Sequence, residues 1–100
     1  MKYLLFNKFG SGLMEMSAEK RERLIQGSGD FYKKYREAGK LLEMYVIPNL
    51  KKNVAIWEVD SAEEIDRLFL ENPMSPYMDG EIFLLADWDG HVKRAQELLG

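Results

Sequence analysis

Apolar positions along the chain alternate with period two in some stretches and recur with helical spacing in others, and glycine, proline or polar breaks separate them. Lys2 to Phe9 sets Tyr3, Leu5, Asn7 and Phe9 on one side and Leu4, Phe6 and Lys8 on the other, which predicts a strand stopped at Gly10-Ser11-Gly12. Both sides are largely apolar, so this strand is expected to be covered on both faces. Ser17 is a suitable helix cap with Glu19 in the first turn, and Leu24, Ser28, Phe31, Tyr35 and Ala38 form one stripe to the stop at Gly39. Gly27-Ser28-Gly29 interrupts that helix at a cost of about 1 kcal/mol per glycine. Two short helices, a kinked helix, or a helix thinned for close approach would each explain it. The stripe keeps its phase across the gap, which favours one bent helix.

Leu41 to Ile47 and Asn53 to Val59 read as two further strands, and the short Pro48–Lys52 link makes them antiparallel neighbours. Ser61-Ala62-Glu63-Glu64 is a capping box opening a helix with Ile65, Leu68 and Phe69 on its apolar side, ending before Pro73. Glu81 to Trp88 reads as a fourth strand, and Asp89 as the cap of a tail helix carrying Val92, Ala95, Leu98 and Leu99. The order strand, helix, strand, strand, helix, strand, helix predicts an α+β fold: one ferredoxin-like split βαβ domain over residues 1–100, with both main helices on one sheet face. The opposite face would carry Leu5, Tyr45, Ile56 and Phe83 or their neighbours. An apolar patch of that size predicts a homodimeric α+β barrel in which two sheets meet.

The break before the fourth strand, Asn72-Pro73-Met74-Ser75-Pro76-Tyr77-Met78-Asp79-Gly80, holds two prolines that bar both helix and central strand, yet it is rich in apolar side chains. A rigid apolar loop with a phenol and a carboxylate at its end suits the wall of a small pocket. Ser75-Pro76-Tyr77-Met78-Asp79 resembles the Pro-Tyr-Met-Asp segment of the muconolactone isomerase family. Arg36-Glu37-Ala38-Gly39, Asn53 to Val59 and Asp60-Ser61 are similar to its turn into the second strand, its third strand and its second-helix approach. The resemblance runs from about Glu15 to Asp87. It implies a homo-oligomer built from dimers, with a decamer as one form, and a cofactor-free double-bond shift in a lactone by proton transfer. It also marks departures: Glu43 and Leu50 stand where the family pattern has histidines, and Gly27-Ser28-Gly29 replaces a charged helix centre.

Composition narrows the chemistry. With 46% hydrophobic and 31% charged residues, the 100-residue chain is an ordinary single globular domain. A net charge of −3 with mixed signs argues against nucleic acid as a partner. No cysteine and a single histidine, His91, remove disulfides, thiolate chemistry and a histidine metal cluster within one chain. No apolar run is long enough to span a bilayer, and a reducing cytoplasm is the expected compartment. No cofactor is implied.

Candidate site residues follow from these placements. Glu43, in an apolar strand, is a proton carrier if it is desolvated inside the dimer, or a rim carboxylate if it meets water. Tyr77 would donate to a carbonyl or enolate oxygen, with Asp79 beside it, unless the pair merely shapes the turn. Asn7 and Tyr45 would orient a ligand, and Tyr32, Tyr35 and Trp57 would line its pocket or fill the core. The resulting expectation is an isomerase acting on a small lactone or enol between the sheet, the first long helix and the 72–80 loop. The alternatives are a non-catalytic binding or assembly module, and a cofactor-free monooxygenase of the same barrel class.

Overall fold

A computed structural model describes all 100 residues. Strands β1 (Lys2–Phe9), β2 (Leu41–Ile47), β3 (Lys52–Glu58) and β4 (Met78–Leu85) form one antiparallel sheet in the order β2-β3-β1-β4. Helices α2 (Ala18–Glu37) and α3 (Ala62–Glu71) connect them as expected for a split βαβ arrangement, after a one-turn α1 (Gly12–Glu15). Ser17 caps α2 by accepting from Lys20 N at 3.2 Å. Ser61 caps α3 at Glu64 N, while Glu64 returns to Asp60 N at 2.8 Å and binds Lys40 Nζ at 2.7 Å.

The core lies between the helices and the sheet: Leu5, Phe31, Leu41, Ala55, Trp57, Val59, Ile65 and Leu68 form one buried cluster. Phe31 holds it together, with edge contacts to Tyr32 and Tyr35 and a ring 5.9 Å from Trp57. Such aromatic pairs add about 0.5–1.5 kcal/mol each beyond their area.

Several local expectations change. The helix with the glycine pair is one element, as expected, but Gly27 serves close approach: a Cβ there would stand 3.3 Å from Pro73 Cγ, while Gly29 faces open space and Ser28 between them is buried. β4 starts at Met78, three residues earlier than Glu81, because the 3₁₀ turn Ser75–Tyr77 delivers the chain directly to the edge of β1, where Met78 pairs with Phe9. The tail helix α4 (Trp88–Leu99) is capped by Asp87, which accepts from Gly90 N at 2.9 Å, and not by Asp89.

The second strand carries an irregularity that decides its faces: Tyr45, Ile56 and Phe83 lie on the open face as expected, and Leu5 does not. Strict alternation would put Glu43 and Tyr45 on the face of Leu41. The register shifts between Leu41 and Glu43, so Leu41 pairs with Trp57 but Glu43 pairs with Ile56 and Tyr45 with Val54. One extra residue in the strand turns both side chains to the opposite face. That face is open. Leu4, Phe6, Val54 and Ile56 are only half-buried there, and Phe83 is 46% and Tyr45 60% exposed. Leu5 belongs to the helix-covered side; its neighbours Leu4 and Phe6 take the open one.

A second unpartnered surface is α4. None of its residues is buried, and Trp88 is 73% exposed. The radius of gyration is 16.3 Å, against about 13 Å for a compact chain of this length, and the long axis reaches 59 Å. No helix is long and apolar enough to cross a membrane.

Candidate functional site

Polar side chains are scarce under the helices, which makes those present informative. Asn7 on β1 is 3% exposed and its Nδ2 donates to Asn53 Oδ1, its cross-strand partner, at 3.2 Å. Its own Oδ1 is buried without any partner, and so is Trp57 Nε1. Leaving such a group unpaired costs about 1–3 kcal/mol, so each calls for a reason.

Both atoms belong to residues lining one crevice. Its walls are Leu5, Asn7 and Trp57 of the sheet, Phe31 and Tyr32 of α2, Leu68 and Phe69 of α3, and Asn72 and Met78 around the 72–80 loop. Asn72, just past α3 where Pro73 forbids another helical turn, ties these elements together. Its Oδ1 accepts from Ser28 Oγ at 3.3 Å and from Met74 N at 3.1 Å, and its Nδ2 donates to Tyr32 OH at 3.0 Å. Tyr32 accepts there and is also hydrogen-bonded with Ser28. Burial holds the Tyr32 phenol above its ordinary pKa, outweighing the opposing hydrogen bonds from Asn72 and Ser28, so it stays protonated and a donor at neutral pH.

The crevice holds about 10 Å³ of free space, the least that takes one water molecule. Phe69 is also a wall of a larger, open recess of about 400 Å³ between α3 and β4, lined by Tyr3, Ala62, Ile65, Asp66, Gly80 and Ile82. This ring therefore partitions the crevice from the recess. Gly80 permits the arrangement by close approach: a Cβ there would lie 2.8 Å from both Asn7 Oδ1 and Phe69 Cε2.

The chain's sequence matches the profile of a family described as muconolactone delta-isomerase over residues 12–90. The chain belongs to the muconolactone delta-isomerase family. A muconolactone delta-isomerase of Rhodococcus opacus is 27% identical over 79 residues, 79% of this chain and 85% of that protein. The crystal structure of muconolactone isomerase superposes with a TM-score of 0.77, covering 87% of this chain and 90% of that one at 19% identity. This second likeness concerns the fold, and it agrees with the sheet order and helix placement described above.

Within this family member the structure brings Asn7, Tyr32 and Trp57 to one crevice. Tyr35 packs its ring on Phe31 and Trp57, but its hydroxyl donates to Glu71 outside the crevice. Glu43 and Tyr45 are not in it. They stand on the open face, exposed, where Tyr45 OH donates to Glu43 Oε2 at 3.1 Å and the carboxylate holds the phenol above its ordinary pKa. Tyr77 lines no part of the crevice; its carbonyl accepts from Gly10 N at 2.8 Å, and the residue fastens the loop to the end of β1. Asp79 is exposed opposite Lys8. Sequence reasoning missed Asn53, Asn72 and Phe69. Asn53 was available from the hairpin-like pattern as one more amide at an apolar strand position, and Asn72 as a polar residue inside an apolar loop. Nothing local marks Phe69.

Proposed function

We propose that this chain is an isomerase-like protein that holds a small, oxygen-bearing lactone or enol in the crevice between sheet, α2, α3 and the 72–80 loop. The observation that carries this reading is the pair of buried, unpartnered polar atoms, Asn7 Oδ1 and Trp57 Nε1, on two residues that line a mostly apolar crevice. Trp57 N–H and Tyr32 O–H supply two donors for a carbonyl or developing enolate oxygen, the electrostatic help a double-bond shift needs. Asn7 Oδ1 accepts from a ligand hydroxyl. Since the crevice accommodates only one water, access requires Phe69 to swing toward the recess. Asp66 lines that recess and is the carboxyl group we assign to proton transfer, in place of Glu43 on the far side of the sheet.

The test is turnover of unsaturated γ-lactones, followed by the absorbance of the conjugated product. Tyr32→Phe and Asp66→Asn should each lower kcat by tenfold or more, with Glu43→Gln near the parent value. Loss of turnover on Glu43→Gln with an intact Asp66→Asn variant would reverse the assignment.

A second reading, a non-catalytic binding or assembly module, is favoured by the one-water size of the crevice and by its lack of any carboxylate or imidazole wall. It predicts ligand-induced stabilisation without turnover of any lactone.

We also propose a homodimer through the open sheet face. Four strands at about 4.8 Å spacing and seven or eight residues at about 3.3 Å give each protomer a footprint of roughly 480 Å². Two such faces approach the lower range of stable interfaces once side-chain relief is included, about 1,200 Å² of accessible surface.

A further inference from the structure

The chemistry of the crevice walls says which ligands it rejects. None of its nine lining residues carries a charge of either sign. The neighbouring recess adds only one charged side chain, and that is an acid, Asp66. A carboxylate drawn under the helices would lose its water and gain no cation, an uncompensated burial that proteins avoid. It would also meet the unpaired Asn7 Oδ1, an acceptor that repels another acceptor. The two unpaired groups ask for something else: an acceptor oxygen for Trp57 N–H and a donor hydrogen for Asn7 Oδ1.

We infer that the ligand of this crevice is electrically neutral: an uncharged unsaturated lactone or hydroxy-carbonyl compound, without the free carboxylate that muconolactone itself carries. This inference rests on the crevice being the binding site, as proposed above, and adds the exclusion of anions. A site that must hydrogen-bond a ligand discriminates most strongly through the polar groups left unpaired by the wrong one. An acid and its ester share one skeleton and differ in charge, so they isolate this effect from shape.

The experiment uses the full chain with Trp88→Phe, which removes an exposed ring remote from the crevice and leaves Trp57 as the sole tryptophan. Muconolactone and its methyl ester are titrated separately at neutral pH, following Trp57 emission, and the titrations are repeated on Asn7→Leu. The ester, or the simpler neutral lactone without the side chain, should bind saturably, at least about tenfold more tightly than the acid. Asn7→Leu should weaken the ester and leave the acid as weak as before. Acid binding as tight as ester binding, still sensitive to Asn7→Leu, would overturn the neutral class while leaving the site intact. If no lactone moves Trp57 emission, or Asn7→Leu changes neither affinity, the crevice itself is not the site and both proposals fall.

Discussion

Gly80 offers a perturbation whose size follows from the coordinates. It lies opposite Asn7 in the β1–β4 register, and its backbone conformation is one that any residue adopts; what it provides is absence of a side chain. In Gly80→Ala the new methyl would meet Asn7 Oδ1 at 2.8 Å and the Phe69 ring at 2.8 and 2.9 Å, where ordinary contacts are 3.4–4 Å. Ring and amide must therefore each retreat by more than half an ångström, and Asn7 is tied to Asn53 on one side. Overpacking of this kind costs about 1–3 kcal/mol, which for a domain of this length corresponds to a fall in Tm of about 5–20 °C. Thermal unfolding followed by circular dichroism measures it. Phe69→Leu in the same chain removes half of the conflict, so the double variant should be more stable than the sum of the two single changes predicts, by about 0.5 kcal/mol or more. A Tm for Gly80→Ala within about 1 °C of the parent, or strict additivity with Phe69→Leu, would refute the close approach of Phe69 and Asn7 to β4.

Other consequences can be read in simpler assays. The Glu71 hydrogen bond, aided by burial, pushes the Tyr35 phenol up to about 12, so its protonated form is favoured by folding; stability is full below about pH 10 and falls as pH rises toward 12, and Tyr35→Phe should flatten that alkaline limb of urea-unfolding curves. Glu64 has the opposite sign: the Asp60 backbone N–H first, then Lys40, lower its pKa, so its contribution is present above the usual carboxylate value and is lost as pH falls through the lowered one; Glu64→Gln should reduce the acid sensitivity. Removing the cap that Glu64 answers, by Ser61→Ala, should cost about 1 kcal/mol in denaturant unfolding. Placing a charge on the open face by Ile56→Lys should yield monomers in light scattering if that face is the dimer interface, with the crevice residues undisturbed; an unchanged oligomer would exclude the face.

How far the sequence carried depended on which rule each element obeyed. The strands and main helices were legible because alternation, the Ser17 cap and the Ser61–Glu64 capping box all point the same way locally. The break at Pro73–Pro76 was legible as neither helix nor central strand because proline bars both, while at Gly27 the bend was favoured and close approach, here to Pro73, was one of the other readings. Tyr45 was legible on the open face with Ile56 and Phe83, whereas the direction of Glu43 was left between the dimer interior and the rim. A bulge inserts one residue without leaving a composition signal, and the phase of everything after it reverses. The role of Tyr77 was hidden for a different reason: the residue acts through its backbone carbonyl toward Gly10, a contact no side-chain pattern encodes. Phe69 and Gly80 gain their meaning only from each other across α3 and β4.

Trp57 N–H is buried without a protein partner, and the proposed site gives it a ligand oxygen. The chain has two tryptophans, and their indole N–H proton resonances can be followed separately by NMR while a neutral unsaturated γ-lactone is added. The Trp57 resonance should move downfield and saturate as its hydrogen bond forms, while that of Trp88, exposed on α4, stays in place. A Trp57 resonance that does not respond to saturating lactone, or a response confined to Trp88, would contradict the account.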